Sequence, residues 1–305
     1  MGLYQFLADK FTPTKVDTIG DALDRYAREE IPKLAERTQK DYARHIAALR
    51  AWVGHMRLDE LQRKDVGQFL NPEGVTRGLV HRQRRIAVLS SVYNLCIKRW
   101  FLCEQNPCNV EKRKPNKRTR YVTDEEFAIV YAAMPERHQI AMDLALLTGQ
   151  RQGDLLSLKW DAVSDEGVLF TPAKTKRKVG KRLLVGMSAE LKAVLERAKA
   201  LSPQIPRDYV IRKHDGKRYT SEGFRAPWQR RMRRLVTGYW RGKKGSAPVW
   251  HEPKLGSRFT FHDIRAKCVS DSPTLQEAFE RAGHTDMSMT RGVYDRNVRK
   301  VTPLR

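Results

Sequence analysis

Five short stretches of this 305-residue chain hold the side chains that could do chemistry. They are TGQRQGDLLSLKW, with Arg151 and Asp154; AKTKRKVGKR, with Lys174, Lys176 and Arg177; FHDIR, with His262 and Arg265; AGHTD, with His284; and TRGVYDR, with Tyr294. A planar guanidinium presents paired donors to two non-bridging phosphate oxygens. Its charge offsets the negative charge that builds in a five-coordinate phosphorus transition state. A lysine can protonate a departing oxygen, and a neutral imidazole can accept a proton. A phenol, with an ordinary pKa of about 10, can attack once a base or surrounding positive charge assists its ionisation. Together these residue types point to phosphoryl transfer. Singly, each motif is weak: His-x-x-Arg or a late tyrosine occurs by chance in many basic chains. A surface helix arginine is the plain alternative for Arg151, but its place at a helix start with Asp154 three residues on favours a braced one, whereas a lone histidine on a helix is usually structural.

The elements that must position these groups follow from pattern and caps. Thr123 and Glu126 have the spacing of a capping box ahead of FAIVYAAM, and a further apolar helix ends near Leu147, so Arg151 stands at a helix start. GVLFTPAKTKRKVGKRLLVGM holds two β-type runs, Val168 to Thr171 and Leu183 to Val185, around a basic turn, which predicts a β-hairpin. Helical patterns return over 188–201, 221–235 and from about Asp263 onward. This part is therefore mainly helical with a small antiparallel sheet. Residues 236–258, rich in Gly, Pro and Lys with interleaved aromatics, read as a loop outside regular structure, either touching DNA or inserted without order.

Upstream, the pattern from Thr18 to Trp100 is helical throughout, with helices opening at Thr18 and Thr38. Its polar faces carry Lys40, Arg44, Arg50, Arg82, Arg84 and Arg85, which suits contact with a phosphate backbone as well as it suits a solvated face. Between the two regions lies EKRKPNKRTR, with Lys112, Arg113, Lys117 and Arg118. It reads as an interdomain linker, either a plain tether or a strand laid along DNA. The expected organisation is a helical unit over 1–110, a basic linker over 111–120 and a second domain over 121–305.

Composition narrows the partner. The chain has 59 Lys and Arg against 35 Asp and Glu, a formal charge of +24, which calls for a polyanion. Cys96, Cys103, Cys108 and Cys268 form neither a disulfide framework nor close-spaced Cys/His pairs. No carboxylate cluster suggests a metal-dependent nuclease, and there is no glycine-rich ATP loop. The expectation is therefore no metal and no cofactor. The opening residues lack the pattern of a signal peptide, and no apolar run is long enough to span a bilayer. A reducing, cytoplasmic, nucleoid-associated setting is expected.

In order and spacing the five stretches resemble those of the tyrosine recombinases, the lambda-type phage integrases in particular. The likeness covers nearly the whole chain: the helical unit looks like their core-binding domain, and the region after about residue 121 like their catalytic domain. It implies that Arg151 and Arg265 clamp the scissile phosphate and that Asp154 braces Arg151. Lys174 would protonate the departing 5′ oxygen, with Lys176 and Arg177 as neighbours in the same turn. His262 would assist proton transfer or position the phosphate, His284 would donate to a phosphate oxygen, and Tyr294 would be the nucleophile. Attack by Tyr294 would leave a 3′-phosphotyrosyl link and a free 5′-hydroxyl, conserving the bond energy without ATP.

The resemblance further implies double-stranded attachment sites as substrate and a homotetramer on paired sites, coupled through the basic tail 298–305. A host DNA-bending protein and an excisionase would be candidate accessory partners. Departures accompany the matches. Tyr294 follows His284 one residue later than is usual, and Ala282 stands where the family has Leu. Only about 15 residues precede the first helix, so the family's arm-binding domain is either absent or cut away. The implied function is integration, and excision, of a mobile element. Dimer resolution keeps the same chemistry, and a non-catalytic DNA-binding regulator would not need the whole set of phosphate-binding groups and nucleophile.

Overall fold

The computed structural model describes residues 16–73, 75, 78–111, 118–171, 182–201, 208–241, 248–283 and 287. Lys112, Arg113, Lys117, Lys174, Lys176, Arg177, His284, Tyr294 and the tail 298–305 lie outside the described residues. The chain divides into two compact units, residues 1–116 and 117–305.

The first unit is helical. Helix α1, Ile19–Glu29, starts at a capping box in which the Thr18 hydroxyl accepts the Asp21 N–H and the Asp21 carboxylate accepts the Thr18 N–H. Helix α2, Glu36–Val53, begins two residues before the expected Thr38, because an extended Ala35 already turns the chain and Glu36 is favoured in a first turn. Helices α3, Arg63–Leu70, and α4, Leu79–Lys98, follow. Leu23, Leu49, Val66 and Leu89 meet in its core, Trp52 stacks on Phe69 at 4.0 Å, and the buried Tyr93 hydroxyl donates to the Leu58 carbonyl at 3.0 Å.

The second unit is built on α6, Glu136–Thr148, which packs against four other helices and is buried along most of its length through Ile140, Ala141, Met142, Leu144 and Ala145. A helix apolar on nearly all sides belongs in the centre of a domain. It is preceded by α5, Asp124–Ala133, whose Thr123–Glu126 capping box forms as the sequence predicts. The short α7, Gln152–Leu155, follows it. Strands β1, Val163–Ser164, β2, Gly167–Phe170, and β3, Leu183–Gly186, make an antiparallel meander in which Val168 pairs with Val185 and Phe170 with Leu183. The two expected strands are present, and β1 adds an edge to them. Helices α8, Ala189–Ala200, and α9, Ser221–Thr237, follow.

The expectation of an irregular 236–258 needs correction. Strands β4, Tyr239–Arg241, and β5, Val249–His251, form an antiparallel hairpin there. Cross-strand aromatic pairs supply what the Gly- and Pro-rich composition conceals: Tyr239 stacks on His251 at 4.6 Å, and Trp240 meets Trp250 at 5.3 Å. Further along the described residues lie α10, Phe261–Ser270, and α11, Leu275–Ala282. Helices α6 and α10 pack directly on one another. Among the described residues no helix is long and apolar enough to cross a membrane.

Candidate active site

Arg151 is set by the end of α6. The helix stops at Gly149, which takes the left-handed conformation (φ 66°) and donates its N–H to the Ala145 carbonyl at 3.0 Å. A side chain there would be strained twice, since a Cβ would also come 3.2 Å from the Cys268 Sγ. Past the glycine, Gln150 is buried and Arg151 is half-buried as the N-cap of α7. The Gln150 side-chain amide donates to the Thr148 carbonyl and to the Arg281 carbonyl, both at 3.0 Å. Asp154 is buried one turn into α7, and its N–H donates to the Arg151 carbonyl at 2.9 Å.

Arg265 draws separate motifs together. Its guanidinium is 1% exposed, yet it reaches both ends of the site: Nη1 donates to the Gly149 carbonyl at 2.5 Å and Nη2 to the Ala282 carbonyl at 2.6 Å. Each of these nitrogens carries a second N–H, so a guanidinium can organise two backbone turns and still present donors elsewhere. Ala282 ends α11, and Gly283 caps it in the left-handed conformation (φ 59°) immediately before His284. A Cβ on Gly283 would lie 3.5 Å from the Leu183 Cδ2, so β3 runs beside this cap. The turn before Arg151, the HDIR helix, the residues leading into His284 and the root of the 171–182 connection thus form one neighbourhood. Lys174 belongs to that connection and, with His284 and Tyr294, lies outside the described residues.

Helix α10 brings His262 and Arg265 to one end of the unit. Thr260 caps it: its N–H and hydroxyl both donate to the Asp263 carboxylate, at 2.7 and 2.8 Å, which leaves His262 exposed on the first turn. Asp263 is buried and forms an ion pair with Arg118 at 2.9 Å. The stretch 118–124 is anchored a second time through Lys267, 2% exposed, which contacts Asp124 at 2.6 Å, Asp271 at 2.9 Å and the Tyr121 hydroxyl at 3.2 Å. Burial alone would lower the Lys267 pKa, but the bonds to Asp124, Asp271 and Tyr121 outweigh it and hold the ammonium above its usual range. Burial pushes the Cys268 thiol up, in keeping with an unreactive packing role under Gly149.

The positions singled out on the first unit divide into two kinds. Lys40 and Arg44 are exposed and lie beside Glu36 at 2.8 Å and Asp41 at 3.7 Å. Arg50 pairs with Asp24, and Arg82 donates to the Leu70 carbonyl at 3.1 Å. Arg84 and Arg85 instead surround His45, whose pKa is lowered first by burial and then by Arg85, with Arg84 and His81 adding to it and Asp41 opposing. Burial is the larger cause, and the like charges of Arg84, Arg85 and His81 act in the same direction. Sequence reasoning passed over Gln150 and Lys267; the available signals were the position of Gln150 inside TGQR and the i,i+4 spacing of Lys267 and Asp271. Among the described residues no group of His, Cys, Asp or Glu is placed to hold a metal ion.

This arrangement can be set beside known proteins. The Phage integrase family model matches residues 120–300, more than half of the chain. The chain belongs to the phage integrase family. It is 31% identical over 193 residues to the integrase of Escherichia phage HK022, covering 60% of this chain and 52% of that protein. The chain spans about half the length of the curated relatives it matches. In fold it is similar to a lambda integrase dimer bound to a COC′ core site, with a TM-score of 0.74, 20% identity and coverage of 94% of this chain and 99% of that one. It is also similar to a lambda integrase tetramer bound to a Holliday junction, with a TM-score of 0.73, 20% identity and coverage of 100% and 84%. The mostly helical integrase fold with small antiparallel sheets is therefore the fold of this member of the family.

Proposed function

We propose that this integrase-family chain is a site-specific DNA recombinase that cuts and rejoins strands through a 3′-phosphotyrosyl link to Tyr294, integrating and excising a mobile element. The observation that carries this reading is the pair of bonds from Arg265 to the Gly149 and Ala282 carbonyls. They gather the backbone leading into Arg151 and into His284 around one buried guanidinium. In this reading Arg151 and Arg265 hold the non-bridging oxygens of the scissile phosphate, and Asp154 steadies the turn that carries Arg151. His262, exposed at the start of α10, and His284 complete the phosphate site, and Lys174 delivers the proton to the departing 5′ oxygen.

The helical unit over 1–110 would act as the core-binding domain, 111–120 as the linker, and 121–305 as the catalytic domain. Lys112, Arg113 and Lys117 of the linker, Lys176 and Arg177 of the hairpin turn, and Arg84 and Arg85 on their cationic face would meet phosphates. Lys40 and Arg44 would do so by exchanging Glu36 and Asp41 for DNA, and Arg118 would serve chiefly to dock the linker on Asp263. The substrate would be double-stranded attachment sites. The assembly would be a homotetramer on paired sites, as in the lambda integrase tetramer bound to a Holliday junction. The tail 298–305 would couple neighbouring subunits, and a host DNA-bending protein and an excisionase would act as accessories. The working location would be the host cytoplasm, at the nucleoid.

The deciding experiment incubates a nicked, labelled duplex bearing the element's junction with the protein in EDTA and resolves the products on a denaturing gel. A slow-migrating covalent adduct is expected, absent with Tyr294→Phe. Tight binding to a verified site with no adduct would overturn the reading in favour of a DNA-binding regulator.

A further inference from the structure

The β4–β5 hairpin and the arginine face of α9 are not used by the chemistry above. On the hairpin, Trp240 is 66% exposed and Val249 63%, with Trp250 also in contact with solvent. Large apolar side chains held out on a short ribbon indicate a binding surface. The ribbon is fixed at its root. The Trp250 ring lies over Gly238, and the N–H groups of Lys254 and Leu255 both donate to the Leu235 carbonyl, at 2.7 and 3.0 Å. Helix α9 carries five arginines and one acid, Glu222, which stands in its first turn. Phe224, Trp228, Met232 and Leu235 form its buried face, which leaves Arg230, Arg233 and Arg234 on the outer one. That face is continuous with the ribbon, because the Arg234 guanidinium lies over the Tyr239 ring at 5.1 Å. Burial and the like charges of Arg230 and Arg234 lower the pKa of Arg231, as expected where cations crowd together.

We infer that the β4–β5 ribbon and the Arg230, Arg233 and Arg234 face of α9 form a second contact with duplex DNA, beside the cleavage site. Charge selects this occupant. A second copy of this chain, at +24, would meet the arginine face with like charge, whereas phosphates would neutralise it. Shape agrees, since a two-stranded ribbon fits the major groove while flanking cations take the backbone. The covalent chain limits where the contact falls. His251 is ten residues before Phe261, which opens α10, so the two are at most about 36 Å apart. That is roughly one turn of DNA, about 34–36 Å. The ribbon therefore touches DNA within about one helical turn of the phosphate reached by His262. This placement rests on the proposed recombinase reading; the nature of the surface does not.

The test compares the wild type with Trp240→Ala and with the triple variant Arg230→Gln, Arg233→Gln, Arg234→Gln on a duplex extending two helical turns either side of the cleavage position. Hydroxyl-radical footprinting, the salt dependence of binding and sedimentation are read together, with thermal melting as the control for folding. Arg230, Arg233 and Arg234 are exposed, so unchanged melting is expected of the triple variant, which carries the test; Trp240→Ala also removes the ring pair with Trp250 and is expected to melt slightly lower. Both variants should lose protection of one patch within about a turn of the cleavage position. The triple variant should flatten the slope of log affinity against log salt by roughly 3, at about 0.9 per phosphate. An unchanged footprint and slope would overturn the proposal, as would altered sedimentation with unchanged DNA affinity, which would mark a protein interface. The Tyr294 adduct, scored separately, distinguishes failure of this contact from failure of the recombinase reading.

Discussion

Arg265 holds Gly149: a guanidinium on α10 donates to the carbonyl that ends α6, across 116 positions of sequence, while its other terminal nitrogen holds Ala282. The two arginines of the proposed phosphate site are therefore not independent, since the turn that aims Arg151 hangs on Arg265.

Arg265→Lys preserves the charge but offers one compact ammonium in place of a planar fork. It cannot serve both carbonyls, and the one left buried costs about 1–3 kcal/mol. Adduct formation on nicked DNA should fall about 100-fold or more, as when a preorganised transition-state donor is removed, together with a lower melting temperature. Wild-type adduct yield from this variant would show that the shared bonds do not position the site.

Gly149→Ala places a Cβ in left-handed backbone, 3.2 Å from the Cys268 Sγ. The conformation alone costs about 1–2 kcal/mol. Urea denaturation should show a loss of at least that size. Cys268→Ala in the same chain relieves the contact but not the backbone strain, so only part of the stability should return.

Lys267→Met removes an ammonium shared by Asp124, Asp271 and Tyr121. Asp124 is exposed and stays hydrated, so the loss should fall at or below the lower end of the 3–5 kcal/mol range for a broken buried pair. Because the folded pKa is raised, the stabilisation is fully present below the unfolded value of 10.5 and disappears as pH rises through the folded value. Alkaline titration followed by circular dichroism should show this loss in the wild type and not in the variant.

His138 is buried against Phe224 at 4.2 Å, with its Nε2 3.0 Å from the Phe224 carbonyl. Burial lowers its pKa below 6.5, and Arg231 adds to the effect. Below that pH the unfolded chain takes up a proton that the folded chain resists. The His138 contribution to stability should therefore be constant above pH 6.5 and decline as pH falls below it, until the folded value is passed. His138→Gln should flatten this segment of the pH–stability curve; an unaltered slope would assign it to other groups.

Much of this organisation was legible before any coordinates. The Thr123–Glu126 box, the buried period of α6 and the β-type runs on either side of the basic turn are local signals, and each formed as its residues dictate. The hairpin at 239–251 was hidden because its stability comes from ring pairs across strands, and Gly and Pro mask such pairs in one dimension. Lys40 and Arg44 read as facing either a phosphate backbone or solvent, although Glu36 and Asp41 at helical spacing already signalled their partners. Gln150 inside TGQR and Lys267 four residues before Asp271 were local signals, but their other partners, Arg281 and Asp124, are more than a hundred residues away and could not be read from spacing.

By itself the sequence determined the chemical inventory of this integrase-family chain, its basic character and the helices and strands that carry its motifs. Those properties depend on side-chain type and short-range spacing. Only the tertiary structure decided that the turn before Arg151, the HDIR helix and the cap before His284 share one buried guanidinium. A hydrogen bond depends on where two groups lie in space, and Arg265 reaches Gly149 only because α10 packs on α6.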